Sequence, residues 1–83
     1  MEIMHYRTYN GTEVDLVLEH PNRDIIGVEV KASRSISENF AKGLLHLQNE
    51  VGDKFKGGIV IYMGDELLPL GNGIWAVPMR CVL

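Results

Sequence analysis

Asp15, Glu29 and Lys31 are the residues of this 83-residue chain whose types and spacing point most directly to chemistry. Thirteen residues separate Asp15 from the triplet Glu29-Val30-Lys31. Two carboxylates fixed on adjacent strands can hold Mg²⁺ or Mn²⁺. Mg²⁺ takes about six oxygens near ~2.1 Å and keeps waters and a phosphate oxygen beside one or two protein ligands. The backbone carbonyl of Val30 can add a further oxygen. Lys31, two residues from Glu29, falls on the same side of an extended strand. There it can steady an attacking water or the charge that grows on phosphorus during phosphodiester hydrolysis. The plainer alternative is a solvated strand face on which the same three charges form an ordinary salt-bridge cluster.

Other candidates are weaker. Glu13 alternates onto the side of Asp15, about 7 Å along the strand, and serves either as a supporting or alternative ligand or as solvated charge. Arg7, Ser33 and Arg34 can contact phosphates beside the site, although exposed polar positions of this kind are common. His5, His20 and His46 show no metal-ligand spacing and Cys81 has no companion, which argues against a zinc site and excludes an internal disulfide. The sequence contains no Gly-x-x-x-x-Gly-Lys-Ser/Thr phosphate loop, so no nucleotide is expected to bind this chain.

The elements that must position these groups follow from periodicity and turn chemistry. His5 to Tyr9 is aromatic and β-branched, and Asn10-Gly11 favours a two-residue hairpin turn. The second arm, Thr12 to Leu18, sets Val14, Leu16 and Leu18 on one side and Glu13, Asp15 and Val17 on the other. After the turn-rich stretch His20 to Asp24, a third strand from Ile25 to about Ala32 puts Ile26, Val28, Val30 and Ala32 on one side. Ile25, Gly27, Glu29 and Lys31 take the other. From about Ser37 the period changes. Phe40, Leu44, Leu47 and Val51 mark an amphipathic helix, with Ser35 or Ser37 as cap, Glu38 completing a capping box, and Gly52 as its stop. Gly58 to Tyr62 is apolar without alternation, the pattern of a strand covered on both faces beside a parallel neighbour. A right-handed βαβ unit results. Glu66 to Leu70 and Ile74 to Val77, joined by Gly71-Asn72-Gly73, form a terminal hairpin that Pro69 and Pro78 confine to a sheet edge. Trp75 is expected to anchor the core or an interface.

Composition bounds the rest. Hydrophobic residues make up 46% and charged residues 23%, a balance that excludes disordered and collagen-like classes. The net charge of −3 argues against coating nucleic acid by bulk electrostatics, leaving room only for a local basic site. No apolar run approaches the roughly 20 residues of a membrane span, and no signal-peptide pattern opens the chain, so a cytoplasmic protein without membrane contact is expected. Burial of apolar surface is worth on the order of 130 kcal/mol against about 125 kcal/mol of lost conformational entropy. These near-cancelling terms point to a partner surface as the likeliest supplement.

The spacing of Asp15 and Glu29-Val30-Lys31 resembles the PD-(D/E)xK nuclease superfamily. Its restriction-endonuclease-like fold has a mixed sheet with a β-meander, a crossover helix and a further strand. Tyr6-Arg7-Thr8, Gly11 to Glu19, Gly27 to Ser33 and Leu68 to Pro78 are similar, more narrowly, to the C-terminal domain of unknown function carried by many prokaryotic AAA+ family ATPases. The likeness covers nearly all of the chain. It implies one α/β (α+β) domain over residues 1–83, with Asp15, Glu29 and Lys31 catalytic and Asp15, Glu29 and Val30 holding Mg²⁺ or Mn²⁺. The implied activity is metal-dependent phosphodiester hydrolysis of DNA or RNA. The alternative is a catalytically inactive docking, dimerisation or regulatory domain of an AAA+ ATPase. Gln48 lies on the helix where some of these nucleases use a glutamine, but Gly52 stands where the aromatic of that motif is expected. Nucleases of the superfamily usually begin with a helix that packs on the sheet. Almost nothing precedes the first strand here, so the core is expected to lack that helix. The chain is then a piece or remnant of a larger ATPase-associated protein, with one sheet face partly uncovered and a homodimer as the natural remedy.

Overall fold

A computed structural model describes residues 2–4, 16–37 and 39–82. The chain order is β1 (Glu2–Met4), β2 (Leu16–Glu19), β3 (Ile25–Val30), α1 (Lys42–Val51), β4 (Phe55–Tyr62), β5 (Leu68–Gly71) and β6 (Ile74–Pro78). Single 3₁₀ turns lie at Gly52–Lys54 and Met79–Cys81. The strands form one six-stranded mixed sheet in the order β1-β2-β3-β4-β6-β5. β1, β2 and β3 make the expected antiparallel meander, β4 is parallel to both β3 and β6, and β5 returns antiparallel at the edge. The mixed α/β architecture, meander then helical crossover then strand then terminal hairpin, is therefore the one the sequence predicts.

The sheet's two faces differ. Val17, Ile25, Val60, Tyr62, Ile74 and Ala76 join Phe40, Ala41, Leu44 and Leu47 in one core on the side of α1. The helix comes unusually close to the sheet because Gly27 and Gly58 are paired across β3 and β4. A Cβ at Gly27 would stand 2.5 Å from Leu44 Cδ2, and one at Gly58 would stand 3.0 Å from Leu44 Cδ1. The bare backbone of these two glycines is the seat on which fully buried Leu44 rests. By strand alternation, Ile26, Val28, Ile59, Ile61, Trp75 and Val77 belong to the opposite face.

Four sequence expectations change. The helix begins at Lys42 rather than near Ser37, with Ala41 at its N-cap and no side-chain cap. Ser33 and Ser35 instead bond to each other in a local turn, and the carbonyl of Ser37 accepts from the Phe40 N–H. Phe40 and Ala41 carry the helical spacing because they pack into the core, although their backbone is still a turn. Glu38 and its capping role lie outside the described residues. Gly52 does end the helix, with φ of 62° and its N–H donating to the Gln48 carbonyl.

β6 is internal rather than at an edge. Pro78 is its last residue, opposite Tyr62, where the missing N–H falls at the end of the ladder. Pro69 sits on the true edge strand, as expected. Within β4 only one face is deeply buried: Phe55, Gly58, Val60 and Tyr62 are covered, whereas Ile59 and Ile61 are half-exposed. Trp75 is 43% exposed and is not a core residue of this chain. The hairpin turn at Asn10-Gly11 lies outside the described residues, but Met4 pairs with Val17, the register that such a turn would set. Among the described residues no helix is long and apolar enough to cross a membrane.

Candidate functional site

β3 is a short strand whose positions alternate between the two faces, and Glu29 falls on the helix side two residues beyond Gly27. That places a carboxylate where an apolar side chain would pack without cost. Glu29 is 6% exposed, the one charged residue among the buried side chains described. The backbone keeps its extended course for a further residue, since the Lys31 N–H donates to the Ile61 carbonyl at 2.8 Å. Lys31 therefore returns to the side of Glu29, as its spacing predicts, and its Nζ lies 2.7 Å from Glu29 Oε2.

The pair is only half complete. Glu29 Oε1 is buried and has no hydrogen-bond partner. A buried carboxylate oxygen in that condition costs about 1–3 kcal/mol or more, because the waters it gave up are not replaced. Such an oxygen can take a cation or a donor brought from outside the chain, and Glu29 alone among the described residues offers it. Lys31 is 38% exposed at its side chain, so it joins the buried acid to solvent. Val30, offered as a carbonyl ligand, is the last residue of β3, and its side chain turns to the other face, where it is itself exposed. Asp15, the second carboxylate, lies outside the described residues, as do Glu13, Arg7 and His5. Among the described residues no group of three or more His, Cys, Asp or Glu side chains is arranged to hold a metal.

Glu29 and Lys31 sit at the carboxyl end of β3, which runs parallel to β4 and β6. Open α/β sheets generally bind ligands beyond the carboxyl ends of their parallel strands. An open cleft of about 420 Å³ lies beyond the same end of the sheet, lined by Arg34 and Ile36 after β3 and by Tyr62, Gly64, Asp65, Glu66 and Leu68 around the end of β4. Tyr62 is fixed on its floor. Its hydroxyl donates to the Glu66 carbonyl at 2.6 Å, and its ring meets Phe40 edge-on at 5.5 Å. Arg80 donates to the Asp65 carbonyl at 2.8 Å and holds that wall of the cleft.

Arg34, which the sequence offers as a phosphate contact or an exposed polar residue, is exposed and lines this cleft, to whose lining Glu29 and Lys31 do not belong. The hydroxyl of Ser33 is engaged locally with Ser35. Gln48 is half-buried on α1. His20 Nδ1 accepts from the Asn22 N–H, and His46 lies 3.7 Å from Glu50. The cleft residues Tyr62, Asp65 and Glu66 went unnoticed in the sequence. Tyr62 reads there as the end of an apolar strand, and its polar tip shows only once Glu66 is known to fold back over it.

No curated protein and no solved structure matches this chain. The profile described as "Domain of unknown function (DUF4143)" matches residues 1–82, virtually the whole sequence, and the chain belongs to that family.

Proposed function

We propose that this domain is a nuclease-like, metal-dependent phosphodiesterase in which Asp15 and Glu29, with the Val30 carbonyl, hold Mg²⁺ or Mn²⁺ and Lys31 assists hydrolysis of nucleic acid. The observation that carries the proposal is the buried Glu29 carboxylate, with one oxygen on Lys31 and the other without a partner. The likeness of the Asp15 and Glu29-Val30-Lys31 spacing to PD-(D/E)xK nucleases, and of the wider sequence to C-terminal domains of AAA+ ATPases, supports the substrate class and an ATPase context.

A bound divalent ion supplies Lewis-acid polarisation of a phosphate oxygen and eases loss of a proton from water. The chain's own part is to hold charge in place. Glu29 is fixed by strand and helix packing, so it needs little reorganisation when a cation arrives. Lys31 remains partly exposed, and an ammonium has three donors, so beyond its contact with Glu29 it would have N–H groups for a phosphodiester oxygen or an attacking water. Isothermal titration with Mn²⁺ tests the reading. Saturable binding by the wild type that is lost in both Asp15→Asn and Glu29→Gln is expected. Absence of binding by the wild type, or binding indifferent to both substitutions, refutes it.

A further inference from the structure

We infer, resting on the phosphodiesterase reading above, that the cleft beyond the carboxyl ends of β3 and β4 takes one nucleotide of a single strand, with Arg34 on a phosphate and the Glu66 carboxylate on the amino edge of the base. The Lys31 N–H donates to the Ile61 carbonyl, which sets Lys31 level with Tyr62 on the neighbouring strand. Both residues belong to the α1 face, Lys31 by alternation with Glu29 and Tyr62 as a member of the core. Neighbouring strands lie about 4.8 Å apart, so the wall that Tyr62 gives the cleft stands one strand from Lys31. Arg34 follows Lys31 by three residues, after the Met63 N–H has bonded to the Ser33 carbonyl and held the chain beside β4. A phosphodiester at Lys31 thus puts the next nucleotide of the same strand at the mouth of the cleft.

Shape and charge select the ligand. The cleft measures about 420 Å³, a size usual for sites that hold one small molecule. Ile36 and Leu68, half-buried against the core, give it an apolar floor. Arg34 is the cation of its lining, and Asp65 and Glu66 are the anions. Arg80 engages Asp65, its carbonyl at 2.8 Å and its carboxylate at 3.6 Å. Arg34 and Glu66 enter no ion pair among the described residues. A ligand that answers both is anionic at one end and carries N–H donors at the other. A nucleotide whose base bears an amino group is such a ligand, since carboxylates accept from the N4 amino group of cytosine. A duplex would bring a second row of phosphates against Asp65 and Glu66, in a chain whose net charge is already −3. An unpaired base is instead free to turn out and be read on its edge. The acidic wall is set in advance. The Tyr62 hydroxyl holds the Glu66 carbonyl at 2.6 Å, and Gly64 lies so close over the Tyr62 ring that no Cβ fits.

Fluorescence anisotropy with labelled oligo-dC, oligo-dT and a mixed-sequence duplex, in EDTA so that no strand is cut, provides the test. The wild type is expected to bind oligo-dC about fivefold more tightly than oligo-dT, and the duplex more weakly than either. Arg34→Gln is expected to weaken both single strands alike and to lower the slope of log affinity against log salt by about 0.7. Glu66→Ala is expected to bring oligo-dT level with oligo-dC. Both side chains are exposed, so both variants are expected to keep the wild-type circular dichroism spectrum. No binding of single strands by the wild type, duplex binding as tight as theirs, or a dC preference untouched by Glu66→Ala overturns the inference. The Mn²⁺ titration reports separately: Mn²⁺ binding without strand binding overturns the nucleotide cleft alone, and dC-selective strand binding without Mn²⁺ binding upholds the cleft and overturns the metal reading alone.

Discussion

Replacing Gly27 with alanine tests the packing that fixes which face the helix takes. The added Cβ would stand 2.5 Å from Leu44 Cδ2 and 3.0 Å from Leu47 Cδ2, where carbon atoms normally rest about 3.5–4.0 Å apart. Leu44 has no room to retreat. It is fully buried, and its other methyl lies 3.0 Å from where a Cβ on Gly58 would stand. Overpacking of this kind costs about 1–3 kcal/mol, while alanine relieves a strand of glycine's entropy penalty by about 0.5–1 kcal/mol. The net loss expected is therefore about 1–2 kcal/mol in urea denaturation, a sizeable share of the about 4–12 kcal/mol typical of a domain this long. The informative measurement is the same substitution in a Leu44→Ala background. Leu44→Ala alone costs about 2–5 kcal/mol through its cavity. In that background the Gly27→Ala methyl enters space the leucine has left and keeps only its 3.0 Å approach to Leu47 Cδ2, so the cost of Gly27→Ala falls to about 0–0.5 kcal/mol. An equal cost of Gly27→Ala in both backgrounds would refute the idea that Leu44 is seated on bare glycine backbone.

Three further variants have expected outcomes. Lys31→Ala leaves both Glu29 oxygens without a partner and should lower stability by about 1–2 kcal/mol in urea, reduced from the fully buried case by the exposure of the lysine. The same variant should abolish any cleavage while Mn²⁺ affinity in calorimetry stays equal or rises, because a cation beside the ion has gone. Gly52→Ala, with nothing within 4 Å to clash, should cost about 1 kcal/mol by thermal unfolding through its φ of 62° alone. Tyr62→Phe removes the hydrogen bond to the Glu66 carbonyl and should cost about 0.5–1.5 kcal/mol, with faster hydrogen exchange confined to residues around 62–68.

The strands and their two sides are legible in the sequence because a period of two is a direct record of which side chains share a face. Glu29 and Lys31 meet for that reason alone. The side that receives the helix is not legible in the same way. It depends on Gly27 and Gly58 lying opposite each other across a parallel pair, a relation between residues thirty-one apart that exists only once the register is set. The start of α1 is misread for a related cause. Apolar spacing from Phe40 onward reports contact with the sheet and says nothing of backbone conformation, so buried turn residues at Phe40 and Ala41 look helical. Pro78 misleads because the rule that keeps proline out of central strands concerns a lost ladder hydrogen bond, and at the last rung no bond is lost. Asp15 and the Asn10-Gly11 turn lie outside the described residues.

A sequence that satisfies its own fold locally almost everywhere draws notice to the places where it does not. Two such places stand out, one on each face of the sheet. On the covered face, the residue that follows the glycine seat by two positions is a carboxylate, where a leucine or valine of similar volume would pack with no desolvation cost and commonly with greater stability. On the opposite face, Trp75, the largest apolar side chain in the protein, is 43% exposed. Neither choice is explained by the energetics of one isolated chain: the acid keeps an unsatisfied oxygen, and the tryptophan leaves 43% of its surface exposed. The proposed cation is what Glu29 would meet from outside the chain, and strand alternation keeps that acid and Trp75 on opposite faces of the sheet.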